Sequence, residues 1–93
     1  MIVRVLHVDG TLVAHTIDDA DPMPAIHKLI DCDCVDFVRL ADRVHVMLVD
    51  DNGIAKGRPV NPNATVLYHD VCRPGTTHQI VGDVAIVRAA DLA

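Results

Sequence analysis

The chain has 93 residues, 51% hydrophobic and 23% charged, with 13 acidic residues against 8 lysines and arginines and a net charge of −5. That length and composition define one folded domain and exclude a disordered chain. The acidity argues against a nucleic-acid-binding protein, which needs a basic face.

Every acidic residue is Asp, and only Lys28 and Lys56 are lysines. Asp competes with the helical backbone and favours turns and N-caps, so a helix-rich fold is not expected. Phe37 and Tyr68 are the only aromatic residues, which makes the predicted core aliphatic. A domain this small buries only roughly 60–65% of its unfolded surface, so its stability margin is modest and a dimer interface could add to it. No apolar run is long enough to span a bilayer, and residues 1–7 lack the organisation of a signal peptide. Cys32, Cys34 and Cys72 are an odd set, which reads as reduced thiols in a cytoplasm.

In chain order, residues 2–8 are nearly all apolar and read as a strand, and Asp9-Gly10 predicts a tight hairpin turn into a second strand ending at Ile17. Asp18-Asp19-Ala20-Asp21 is a polar break. Asp21-Pro22 then fits an N-cap followed by Pro at the first helical position. Met23, Ile26, Leu29 and Ile30 make one apolar stripe, which predicts a helix over 22–31 with His27 near its buried edge. A strand meander is expected over 34–56: a strand at 34–40, a turn at Ala41-Asp42-Arg43, an interior strand at 44–49, a type I′ turn at Asn52-Gly53, and a short strand at 54–56. Asn61-Pro62 repeats the cap-plus-Pro signal and opens a short helix over 62–69, with Leu67 and Tyr68 pointing inward. Residues 73–77 read as a loop. Residues 79–88 read as the last strand, with Gly82-Asp83 marking a bulge or turn, and 89–93 as a tail. The sum is an α+β domain: a mostly antiparallel sheet of five to six strands, with two helices, one of them short, packed on one face.

The elements Asp51-Asn52-Gly53, Gly57-Arg58-Pro59-Val60-Asn61-Pro62, the short helix to Tyr68, and Val81-Gly82-Asp83-Val84 carry a resemblance. The segment 31–87 resembles a family of small phage and bacterial proteins classed only as a domain of unknown function. Members often carry a Gly pair after the first helix, where this chain has Asp31-Cys32-Asp33-Cys34. The resemblance implies a phage or actinobacterial source and an intracellular protein, and it brings no catalytic residues.

Three kinds of chemistry compete with structural roles for these residues. Cys32-x-Cys34 and His69-x-x-Cys72 could supply four soft ligands, the usual number for structural zinc, but Cys-x-Cys is an uncommon spacing. The competing reading is that Cys34 and Cys72 are small core residues and Cys32 is partly exposed, and no metal or cofactor is expected. The helix start at Asn61-Pro62 offers free N–H groups to an anion, with Arg58 before it and Asn63 and Thr65 within it. The structural alternative is that Asn61 simply caps the helix. The chain has no Ser, and Cys72 with His69 is the only local nucleophile–base pair. Asp50-Asp51-Asn52-Gly53 lacks the alternating acids of a calcium loop, and no phosphate-binding glycine loop is present.

The expectation is a small, acidic, non-enzymatic protein; the resemblance implies that it is phage-encoded and acts in the bacterial cytoplasm, and small phage accessory proteins as a class commonly work by binding a host protein. The contact would be an exposed strand edge or the acidic patch around Asp18, Asp19 and Asp21. Self-association as a homodimer is a further option. The alternatives are an anion-binding module at Arg58, Asn61, Asn63 and Thr65, and an acidic mimic of DNA.

Overall fold

The computed structural model describes residues 1–18 and 20–92. Among them the chain forms strands β1 (Ile2–Leu6), β2 (Leu12–Thr16), β3 (Val35–Arg39), β4 (His45–Asp50) and β5 (Val84–Arg88). Helix α1 (Met23–Leu29) lies between β2 and β3, and α2 (Pro62–His69) between β4 and β5. A closing 3-10 helix, Ala89–Leu92, occupies what the sequence suggests is a tail. The strands make one sheet in the order β2-β1-β5-β4-β3, antiparallel throughout. The α+β prediction holds in its essentials.

One expectation fails: the helices lie on opposite faces of the sheet. Val3, Val5, Val46, Leu48, Ala85 and Val87 form one apolar face and pack on Ile26 and Ile30 at α1. Leu6, Met47, Val49 and Val84 form the other and pack on Ala64 of α2, with Leu67 and Tyr68 beside it. The cause lies in β4 and β5, where consecutive residues are apolar. A strand sends alternate side chains to opposite faces, so both faces need cover. The β2-to-β3 connection covers one face and the β4-to-β5 connection the other.

Several boundaries also differ. The first hairpin closes over Val8–Gly10 and not over two residues: Thr11 accepts from the His7 N–H (2.8 Å), His7 accepts from the Gly10 N–H (2.9 Å), and Gly10 sits at φ +91°. This is the longer hairpin form, in which a turn is followed by a left-handed Gly. Pro22, not Asp21, stands at the α1 N-cap, with no side-chain cap. The helix ends where Asp31 turns left-handed at φ +53°.

The short strand expected at 54–56 does not form, and neither Asn52 nor Gly53 takes a positive φ. Residues 51–57 instead curl into successive turns, closed by Gly53 N–H to Asp50 (3.1 Å), Lys56 N–H to Asn52 (3.0 Å) and Arg58 N–H to Gly53 (3.1 Å). The Asp50 carboxylate draws this curl together, since it accepts from the Asn52 N–H and from both the Lys56 and Arg58 side chains. The last strand is shorter than expected. Val81 makes an isolated bridge with Val60 before Gly82, at φ +77°, breaks the run ahead of β5.

Candidate functional site

The residues singled out around the α2 start do not form one site. Asn61 is fully buried, 0% exposed. Its Nδ2 donates to the carbonyls of Leu6 (3.0 Å) and Gly82 (2.9 Å), and its Oδ1 accepts from the Ala64 N–H (3.1 Å). The Asn61 backbone N–H donates to Ile80 (2.8 Å). Thr65, also buried, donates its hydroxyl to the Asn61 carbonyl (2.8 Å) and accepts from the Ile80 N–H (3.0 Å). Asn61 thus caps α2 and ties it to the end of β1 and to the segment entering β5. Its hydrogen-bonding groups are satisfied within the protein, as buried polar groups require.

Arg58 points away from that helix start. Its Nε donates to Asp50 Oδ2 (2.9 Å), and its Nη2 donates to the Asp31 carbonyl and to Asp31 Oδ2 (3.3 Å). Lys56 Nζ reaches the same Asp50 oxygen at 2.9 Å, and the Asp50 side chain is only 1% exposed. Burial alone pushes the Asp50 carboxyl up; hydrogen bonds from Lys56, the Asn52 N–H and Arg58 outweigh it and hold the group below its ordinary value. Burial likewise lowers the Arg58 pKa, and the Asp31 and Asp50 contacts reverse the direction and raise it. Two carboxylates and two cations balance here, which leaves Arg58 no spare charge for an anion. Asn63 is exposed, and its Nδ2 would lie 3.1 Å from any Cβ placed on Gly10. It is therefore a neighbour of the first hairpin and does not join Arg58.

The two cysteine–histidine pairs stay apart. Cys32 belongs to the core on the α1 face, where burial and the nearby Asp50 charge raise its thiol pKa. Cys34 is exposed. Cys72 lies by Tyr68, a residue of the α2 face, whose hydroxyl pKa is raised first by its hydrogen bond with Cys72 and then by burial. His69 Nε2 bonds to the His78 carbonyl at 2.7 Å. Among the described residues no three His, Cys, Asp or Glu side chains converge as a metal site would require. In the acidic patch, Asp18 accepts from the Ala20 N–H (2.9 Å); Asp19 lies outside the described residues.

Sequence reasoning missed one polar pair. His7 Nδ1 lies 2.8 Å from Asp83 Oδ2, and Asp83 Oδ1 accepts from the Val8 N–H at 3.0 Å. Seventy-six positions separate the two residues, and Gly82-Asp83 signals only a strand break. A carboxylate on Nδ1 orients an imidazole. The open depression beside it is lined by His7, Val8, Asp9, Thr11, Val13 and Asp83, a set without a thiol. The pair is a clamp between the first hairpin and the entry to β5.

What remains is surface. Met1 and Ile17 exchange N–H···O=C bonds in both directions (2.9 and 3.0 Å), and the His7 N–H donates to Thr11. Such pairs alternate along an antiparallel ladder, so Leu12, Ala14 and Thr16 direct their backbone N–H and C=O groups outward from the sheet. Strand β2 (LVAHT) carries no Asp, Lys or Arg, and Leu12 is 54% exposed. The other edge is different. Bonds of Leu40 to His45 and of Asp51 to Cys34 leave Val35, Phe37 and Arg39 facing outward in β3. There the Asp36 carboxylate already takes the Phe37 N–H at 3.1 Å. Charges and occupied edge groups are among the devices by which sheets avoid adding strands; β3 has Asp36, Arg39 and the occupied Phe37 N–H, and β2 has no Asp, Lys or Arg.

The fold and surface define a small antiparallel α+β domain with a helix on each face, and with one blocked and one open sheet edge. Residues 3–92 match the family described as a domain of unknown function, DUF3846, and the chain belongs to that family. No curated protein and no solved structure matches it. Among the described residues no helix is long and apolar enough to cross a membrane.

Proposed function

We propose that the chain is a non-enzymatic protein-binding module that receives an extended segment of a partner along β2. The observation that carries this reading is the outward row of N–H and C=O groups at Leu12, Ala14 and Thr16 on a strand without charge or proline. Main-chain pairing along such an edge supplies affinity, and the flanking side chains supply selectivity. Leu12, Val13 and Ile2 are the exposed apolar side chains beside it. The satisfied bonds of Asn61 and Thr65 and the balanced charge at Arg58 favour this reading over the anion-binding one. In this reading the partner is a host protein met in the bacterial cytoplasm.

A second copy of the chain is the other occupant worth separating. The outward groups are symmetric about Ala14, as a two-fold seam between identical strands requires. Light scattering on purified protein distinguishes a dimer from a monomer that awaits a partner.

The test is capture from bacterial lysate on the tagged chain, with Ala14→Pro alongside. The Ala14 N–H faces outward, so Pro removes a donor to the partner and none from the β1–β2 ladder. The wild type should retain one stoichiometric protein and Ala14→Pro should not. Amide exchange at Leu12, Ala14 and Thr16 should slow in the complex. Ala14→Lys serves if the Pro variant folds poorly. Unchanged capture by both variants, or no slowing at those amides, sinks the proposal.

A further inference from the structure

A second face carries its own signature, independent of β2. On the α1 side of the sheet, beyond the reach of α1, an apolar trough runs between β3 and the closing 3-10 helix. Phe37, Val46, Ala89 and Leu92 line it together with Arg39, and the space is about 290 Å³. A contiguous hollow of about 280 Å³ is bounded by Arg39, Arg43, Val46 and Ala89. Ala89 is anchored there by its N–H to the Val44 carbonyl (2.9 Å), so the trough wall is tied to the backbone just before β4. Phe37 is 53% exposed, a large area for one of only two aromatic residues in the chain.

The charge at this trough runs against the protein as a whole. The chain carries −5, yet Arg39 and Arg43 are both exposed and converge on one hollow. Among the described residues neither has a carboxylate within ion-pair distance. The Asp42 carboxylate between them is occupied: it accepts from the backbone N–H groups of Val44 (2.8 Å) and His45 (2.9 Å) and faces His45 Nδ1 at 2.5 Å. Asp91, the one carboxylate of the neighbouring 3-10 helix, makes no ion pair with either arginine among the described residues. Arg43 has a left-handed backbone at φ +60°, a conformation that non-glycine residues adopt at a cost.

We infer that this trough is a docking site for an acidic peptide segment of a protein partner: an apolar side chain enters beside Phe37 and Leu92, and a neighbouring carboxylate pairs with Arg39 and Arg43. An apolar floor with two guanidinium groups at its rim is complementary to that chemistry. Guanidinium is the group best shaped to take a carboxylate in two hydrogen bonds. Edge pairing is not the mode here, because Asp36 already occupies the Phe37 N–H.

The probe is a random ten-residue peptide library selected on the immobilised chain, followed by fluorescence anisotropy of the enriched peptides. Enriched sequences should carry Asp or Glu within a few positions of a Leu, Ile or Phe. The double variant Arg39→Glu/Arg43→Glu should weaken their binding by about tenfold or more. Leu92→Asp should weaken it as well, and raising the salt should weaken it further. Val13→Lys on β2 should leave it unchanged, which separates failure of this site from failure of the edge-strand reading. The inference is overturned by selection of no peptide, by enrichment of basic or purely apolar peptides, or by retention of binding in the double variant. Binding of a single-stranded oligonucleotide that is lost in the double variant, or a dimer that Leu92→Asp dissociates, would equally reject a peptide as the occupant.

Discussion

Replacing Asn61 by Ala tests whether that residue is a structural clip. The substitution removes the Oδ1 acceptor of the Ala64 N–H and the Nδ2 donor to the Leu6 and Gly82 carbonyls, all at a site with 0% exposure. Loss of a helix N-cap costs about 1 kcal/mol. Each carbonyl left buried without its donor costs about 1 kcal/mol or more. The sum is about 3–4 kcal/mol, against a total stability of about 5–14 kcal/mol for a domain of this length. The melting temperature should fall by about 12–30 °C. Urea unfolding followed by far-UV circular dichroism reads the difference.

Asn61→Asp refines the test, because the carboxylate keeps the cap but turns an oxygen toward two carbonyls. Burial beside them raises the folded-state pKa of the introduced carboxyl above its unfolded value near 3.9. Below that pH the group is neutral in both states, and its penalty grows as pH rises from there through the folded pKa. The stability gap to the wild type should therefore be larger at pH 7 than at pH 3. A loss under 1 kcal/mol for Asn61→Ala, or a gap independent of pH for Asn61→Asp, would refute the clip and return Asn61 to the pool of ligand-binding candidates.

Gly82→Ala should destabilise by about 1–3 kcal/mol in urea melts, because Gly82 holds φ +77° and a Cβ there would stand 2.8 Å from Arg58 Cδ; a neutral outcome would mean that the Arg58 stem moves aside freely. Asp50→Asn should lower stability at pH 7 by about 2–3 kcal/mol, since it strips the shared carboxylate from Lys56 and Arg58. The Asp50 pKa is lowered on folding, so its contribution is complete above the unfolded value and is lost as pH falls through the folded one. The wild-type advantage over Asp50→Asn should vanish in acid, and an advantage constant down to pH 2 would contradict the pairing. The Asp42 carboxyl is lowered to about 2 by the His45 N–H, then the Val44 N–H, then the His45 side chain. A carbon-13 NMR titration should place its midpoint near that value, and a midpoint at the ordinary 3.8 would remove Asp42 as a settled neighbour of Arg39 and Arg43.

Local chemistry was legible along the chain. Alternating and continuous apolar runs located the strands, and Asn61-Pro62 announced a capped helix whose cap forms as read. The Ala41-Asp42-Arg43 turn falls where expected, as does the Gly82 break. These signals act between residues a few positions apart, so sequence carries them directly. The apolar residues on both faces of β4 are legible too and mark an interior strand, but the placing of one helix on each face is not.

Only the tertiary structure decided how distant polar groups were spent. Asp50 gathers Lys56 and Arg58 and curls a predicted strand into turns. Arg58, which looked like an anion ligand beside Asn61, is claimed by Asp31 twenty-seven positions away. His7 finds Asp83, and Cys32 lies on the opposite face from Tyr68 and its neighbour Cys72. The physical reason is one of range. Hydrophobic period and cap chemistry are short-range along the chain, whereas an ion pair or an open edge depends on which strands become neighbours. The sequence determined by itself that this is a small aliphatic α+β domain. The strand order β2-β1-β5-β4-β3 decided that Leu12, Ala14 and Thr16 lie on an open edge, and that Arg39 and Arg43 flank a trough.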